Sequence, residues 1–150
     1  MKFYTDASYN IEKNITTISY YNDYYMDAKE IELKPNMDVT YAEGMAILHV
    51  LQNFDNITTI FTDALIVTKF VKGLSSPKKA ELNKLISEIK KYEFNLIWIP
   101  SHENKAHSLA YNHMKKISKD KPIILSIKKH SQFPPKKNKE MDFNEKWFLL

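Results

Sequence analysis

The chain has 150 residues, of which 43% are hydrophobic, 13% aromatic and 27% charged, a balance that suits one globular domain and excludes wholesale disorder. It contains no cysteine, which removes disulfide frameworks, thiolate nucleophiles and cysteine zinc sites together. All 22 basic residues are lysine, so no guanidinium fork is available, and anions must be met by lysine point charges and backbone N–H groups.

No apolar run approaches the roughly 18 residues of a membrane span, and the stretch from Met1 to Asp6 carries no signal-peptide core. A cytoplasmic protein without membrane contact is expected. The formal charge of +4 is unevenly placed. Residues 1–118 hold 14 lysines and 14 acids, whereas residues 119–150 hold 8 lysines and 4 acids. The chain therefore reads as a neutral domain over 1–118 and a basic extension over 119–150, partly docked on it and open to a nucleic-acid or protein partner.

Residues 3–9, 14–21 and 25–33 are rich in Tyr, Ile, Thr and Phe, with short polar breaks between them, and predict three antiparallel strands in a meander. The period then changes. Ala42, Met45, Ala46, Val50 and Leu51 predict a helix over 40–54. A short apolar strand follows over 57–61, then a helix over 65–71 closed by Gly73. Ser75, Ser76 and Pro77 open a further helix reaching about Tyr92. Residues 94–99 form a strand stopped by Pro100, and residues 105–118 are helical. Strands four and five follow helices, so they should be parallel crossovers. The fold expected is α/β: a mixed five-stranded sheet, order 3-2-1-4-5, with helices on its faces. In the extension, 123–127 could add a strand, and Trp147, Phe148, Leu149 and Leu150 should pack on the domain.

Three acids stand where the fold does not ask for them. Asp6 lies inside the first, central strand, where aspartate is disfavoured and an unpaired charge is costly. Glu43 shares the helical stripe of Ala46, Ile47, Val50 and Leu51 that should face the sheet. Asp63 ends the fourth strand at the carboxyl edge, where α/β sheets take ligands. Two of them have bland readings: Glu43 as the far half of a Thr40 capping box, and Asp63 as a helix N-cap. In the expected strand order all three can converge, and crowded carboxylates call for a cation. Oxygen donors without cysteine favour Mg²⁺ or Mn²⁺.

The sequence resembles the ribonuclease H family over residues 1 to about 118. The matching pieces are Tyr4-Thr5-Asp6-Ala7-Ser8, Thr40-Tyr41-Ala42-Glu43, Phe61-Thr62-Asp63-Ala64, Trp98-Ile99-Pro100-Ser101-His102 and Asn104-Lys105-Ala106-His107-Ser108-Leu109-Ala110. The resemblance implies a two-metal hydrolase, acting as a monomer, that cleaves the RNA strand of RNA–DNA hybrids with Mg²⁺ or Mn²⁺. It implies that Asp6 bridges two ions, that Glu43 and Asp63 complete the second ion's shell, and that His102 is the loop histidine that helps product leave. Ser8, Asn10 and Asn104 are the implied substrate contacts. The family's last helix normally opens with a fourth aspartate. Here His107 takes that place, as a metal ligand without negative charge, which biases the site toward Mn²⁺ or toward reduced activity. The histidine-to-helix loop is shortened, Asn104 lies one step nearer position 107 than the usual motif sets it, and the basic protrusion of some bacterial members is missing. A catalytically weak or silent module that binds nucleic acid or a protein partner is the second reading. A related nuclease acting on DNA or single-stranded RNA is the third.

Overall fold

A computed structural model describes residues 1–119. The expectations for a strand over 123–127 and for docking of the terminal apolar group fall outside the described residues. Strands β1 (Lys2–Asn10), β2 (Ile15–Tyr21) and β3 (Met26–Ile31) form an antiparallel meander. Helix α1 (Val39–Asn53) leads to β4 (Thr59–Thr62), which pairs parallel with β1. Helices α2 (Leu65–Val71) and α3 (Ala80–Ile89) lead to β5 (Asn95–Trp98), parallel to β4. A 3-10 turn (Ser101–Glu103) and helix α4 (His107–Ser118) follow. The sheet order is β3-β2-β1-β4-β5, as the period changes and crossover rule require.

Each sheet face is set by strand alternation. Phe3 of β1, Ile60 of β4 and Leu96 of β5 point into one core with Ile47, Val50, Leu82, Leu85, Ile86 and Ile89 from α1 and α3. Ala7 and Ile18 continue that face against Ala42 and Ala46 of α1. The lack of a side chain at Gly44 lets α3 press close, because a Cβ there would stand 2.8 Å from Leu85 Cδ2. The opposite face receives α4 through hydroxyls: Thr17 donates to the Ala110 carbonyl and Ser19 to the Ala106 carbonyl, each at 2.8 Å.

With only two glycines in the chain, left-handed backbone falls to asparagine. Asn14, Asn36 and Asn56 have φ of 52°, 67° and 59°, and Gly73 has 77°; asparagine tolerates this region better than other side chains with a Cβ. Helix α3 starts at Ala80 rather than at Pro77. Lys79 before it is extended, and its ammonium donates to the Asn36 carbonyl at 2.6 Å, which ties the entry loop to the chain ahead of α1.

The strand pairing sets where two of the acids sit. Pairing of β1 with β2 runs to Asn10 opposite Ile15, but pairing of β1 with β4 ends at Tyr4 opposite Phe61. Asp6 therefore sits on a length of β1 that has left β4 behind, with Asp63 just past the end of β4.

Candidate functional site

Asp6, Glu43 and Asp63 arrive from β1, α1 and the end of β4, and they are 0%, 1% and 1% exposed. Neither bland reading of the acids survives. The N-cap of α1 is Asp38, whose carboxylate accepts the Thr40 N–H at 3.1 Å, so Thr40 and Glu43 do not form a capping box. The N-cap of α2 is Ala64 without a side-chain cap, and its N–H is met by the Thr62 hydroxyl at 3.1 Å. Glu43 and Asp63 are thus not spent on helix ends.

What the acids do have is each other. Burial first, and then the charge of Asp6, pushes the Asp63 carboxyl up to about 9, against the pull of the Asn104 amide. Glu43 is raised well above the usual carboxylate range by burial, then by Asp6 and then by Asp63. Such an arrangement costs several kcal/mol unless something compensates it. Among the described residues, the buried side-chain oxygens with no partner are Asp6 Oδ1, both oxygens of Glu43, Asp63 Oδ1, Thr5 Oγ1 and Ser8 Oγ. All belong to the three acids or to Thr5 and Ser8, which lie within two residues of Asp6 on β1. Among the described residues the unpartnered buried polarity is thus gathered around the acids.

His107, the first residue of α4, places Nδ1 2.9 Å from Asp6 Oδ2. Asp6, Asp63 and His107 each offer a ligand atom within 4.8 Å of the others, a possible carboxylate and histidine site for a divalent cation. The donor set fits one: hard oxygens left bare in the interior, with a neighbouring imidazole, suit Mn²⁺ and, less well at the histidine, Mg²⁺.

The remaining expected residues are spread over a wider area. Asn104, expected at the substrate, is 5% exposed and turned inward, its amide donating to Asp63 Oδ2 at 3.1 Å and to the Thr5 carbonyl at 2.8 Å. Ser8 is likewise buried, at 1% exposed, beside Asp6. Asn10 uses its side-chain oxygen to accept the Lys13 N–H at 3.1 Å and so shapes the β1–β2 turn. His102 is not gathered into the cluster: it stands on the 3-10 turn with its side chain 73% exposed, 3.6 Å from the Glu103 carboxylate. Trp98, known from sequence only as part of a motif, takes a local role, its indole N–H donating to the Asp63 carbonyl at 3.1 Å. Sequence offers no cue for that bond, because it depends on how β5 ends beside β4.

No family model matches the chain, and no curated protein does either. Solved structures do. Ribonuclease H1 of the halophilic archaeon Halobacterium salinarum superposes with a TM-score of 0.65 at 16% identity, covering 77% of this chain and 97% of that one. LC11-RNase H1, solved in complex with an RNA/DNA hybrid, gives 0.65 at 16% identity over 78% of this chain and 98% of its own. The N-terminal RNase H domain of a Mycobacterium tuberculosis protein gives 0.62 at 14%, over 79% and 96%. The chain has the ribonuclease H fold.

Proposed function

We propose that this chain is a divalent-metal-dependent hydrolase that cleaves the RNA strand of RNA–DNA hybrids. The observation that carries the reading is the set of bare, buried oxygens on Asp6, Glu43 and Asp63 beside His107, in a fold shared with a ribonuclease H1 that was solved with a hybrid. Carboxylates are kept at this price where a cation repays it.

In this reading Asp6, Glu43 and Asp63 would hold two divalent cations, with His107 standing at the fourth position. Two divalent cations, when bound, supply the charge that makes a water nucleophilic and stabilises a departing 3′ oxygen. The chain's own contribution is geometric. Asp6 is held by its place in a central strand and by His107, and Asp63 by Asn104. Pairing of β1 with β4 stops at Tyr4 and Phe61, and Asp6 and Asp63 follow just beyond that point. Without arginine, lysines and backbone N–H groups meet the phosphates. A hybrid is recognised by 2′-hydroxyls and backbone shape, which asks for no reading of base edges.

The test is cleavage of a labelled RNA–DNA hybrid in Mg²⁺ and in Mn²⁺, with Asp6→Asn as the blank. Wild type should cut the RNA strand, leave 5′ phosphates and work better in Mn²⁺, while Asp6→Asn stays at the buffer level. Equal inertness of both proteins in both metals refutes the reading. A second reading, a binding module without catalysis, is favoured by one observation, the imidazole of His107 where a fourth carboxylate would bring negative charge. That module would bind hybrid and leave it intact.

A further inference from the structure

Asn104 links the 3-10 turn to α4, and its contacts join three parts of the fold. One amide nitrogen donates to the Thr5 carbonyl of β1 at 2.8 Å and to Asp63 Oδ2 at 3.1 Å. The side-chain oxygen accepts the Ala106 N–H at 3.0 Å. The main-chain carbonyl accepts the His107 N–H at 3.0 Å, and its own N–H donates to the Ser101 carbonyl at 3.1 Å. The amide's orientation is determined by these partners: reversed, it would set oxygen against two acceptors and nitrogen against a donor. Both donor hydrogens are committed inside the protein, so the side chain has no donor left for substrate.

The effect on the acids is specific. Asp6 has Oδ2 on His107 and Oδ1 bare, and Asp63 has Oδ2 on Asn104 and Oδ1 bare. Each aspartate thus has one tethered oxygen and one presented oxygen. Attachment of α4 to the sheet does not need Asn104, because Thr17 and Ser19 already bond the Ala110 and Ala106 carbonyls. What Asn104 adds is a tie from the loop ahead of α4 to the Thr5 carbonyl of β1 and to Asp63.

We propose that Asn104 is a positioning residue of the acid cluster: it holds Asp63 so that Oδ1 is presented to a divalent cation, and it fixes the start of α4 so that His107 meets Asp6. The proposal rests on the metal-dependent reading above. It replaces the substrate contact implied by the family resemblance with a role exerted through Asp63. Partners that orient metal ligands are worth roughly 10- to 100-fold in metal affinity.

The experiment measures Mn²⁺ affinity from the electron paramagnetic resonance signal of free Mn²⁺, for wild type, Asn104→Ser and Thr17→Val. Serine keeps an oxygen able to accept the Ala106 N–H, but it is too short to reach Asp63. Thr17→Val removes a buried bond to α4 that has no link to the acids. Asn104→Ser should lose roughly 10- to 100-fold in affinity, while Thr17→Val binds as wild type does. With hybrid, the variant's KM should stay unchanged at saturating Mn²⁺ and its rate should recover as Mn²⁺ is raised. Unchanged Mn²⁺ affinity in Asn104→Ser, an equal loss in Thr17→Val, or a raised KM that excess Mn²⁺ does not cure overturns the proposal. Should Asn104→Ser fail to fold, the wild-type side-chain amide signals of Asn104 replace it. They should be protected from solvent exchange and should shift on Mg²⁺ addition, and signals that stay put count against the role. Wild type that binds no Mn²⁺ defeats the metal-dependent reading and this proposal together, whereas a wild type that binds with an unaffected variant defeats this proposal alone.

Discussion

The acid cluster should make the metal-free protein lose stability as pH rises. The unfolded chain releases the Asp63 proton near 4, whereas the folded chain keeps it up to about 9. Over that window the folded state binds the extra proton, so stability is fullest below about 4 and falls as pH rises toward 9. One proton corresponds to about 1.4 kcal/mol per pH unit, or about 3 kcal/mol from pH 6 to pH 8. For a domain of this size that is a fall in Tm of about 5–11 °C. Glu43 is raised too, so the slope belongs to the cluster and should not be less than one proton's worth. Thermal melts in EDTA at pH 6, 7 and 8 measure it. Asp63→Asn, which cannot ionise, should flatten the slope and melt above wild type at pH 8. Mn²⁺ should abolish the wild-type slope, since cations bind the ionised acids. A wild-type Tm that is level from pH 6 to 8 in EDTA, or an Asp63→Asn protein that melts lower at pH 8, would refute the electrostatic argument.

Two further outcomes follow from the same geometry. His107→Asp restores a charged ligand beside Asp6 and should raise the Mg²⁺-dependent rate of hybrid cleavage while lowering metal-free Tm at pH 8; an unchanged or lower rate means His107 does not occupy the missing ligand's place. Removing residues 119–150 should weaken hybrid binding and reduce its salt dependence, because lysines that neutralise phosphates release counterions, and an unaltered salt slope would assign the extension to another partner.

The fold was largely legible because its signals are local and consistent. The meander shows in β-branched and aromatic runs with short breaks, α1 in the spacing of Ala42, Ala46 and Val50, and the sheet order in the alternation of strand and helix. The start of α3 was not, since Pro77 is a permissive signal and the entry is settled by a long-range bond from Lys79 to the Asn36 carbonyl. Asp6 stood out at once, as a carboxylate in a central strand. Glu43 and Asp63 remained ambiguous in sequence, because capping can use the same residue types at the same spacing. Only the structure shows that Asp38 caps α1 and that α2 starts at Ala64 without a side-chain cap. Asn104 illustrates the limit best. A motif can mark the residue, but whether its amide turns outward to a ligand or inward depends on the long-range placement of the Thr5 carbonyl and Asp63, its partners in the fold.

The central claim is that Asp6, Glu43 and Asp63 tolerate one another because a divalent cation joins them. Anomalous diffraction from crystals soaked in Mn²⁺ tests this most directly. Manganese peaks are expected within coordination distance of Asp6 Oδ1 and Asp63 Oδ1, one of them beside His107, and should be lost in Asp6→Asn. A well-diffracting soaked crystal with no anomalous density among these residues would contradict it.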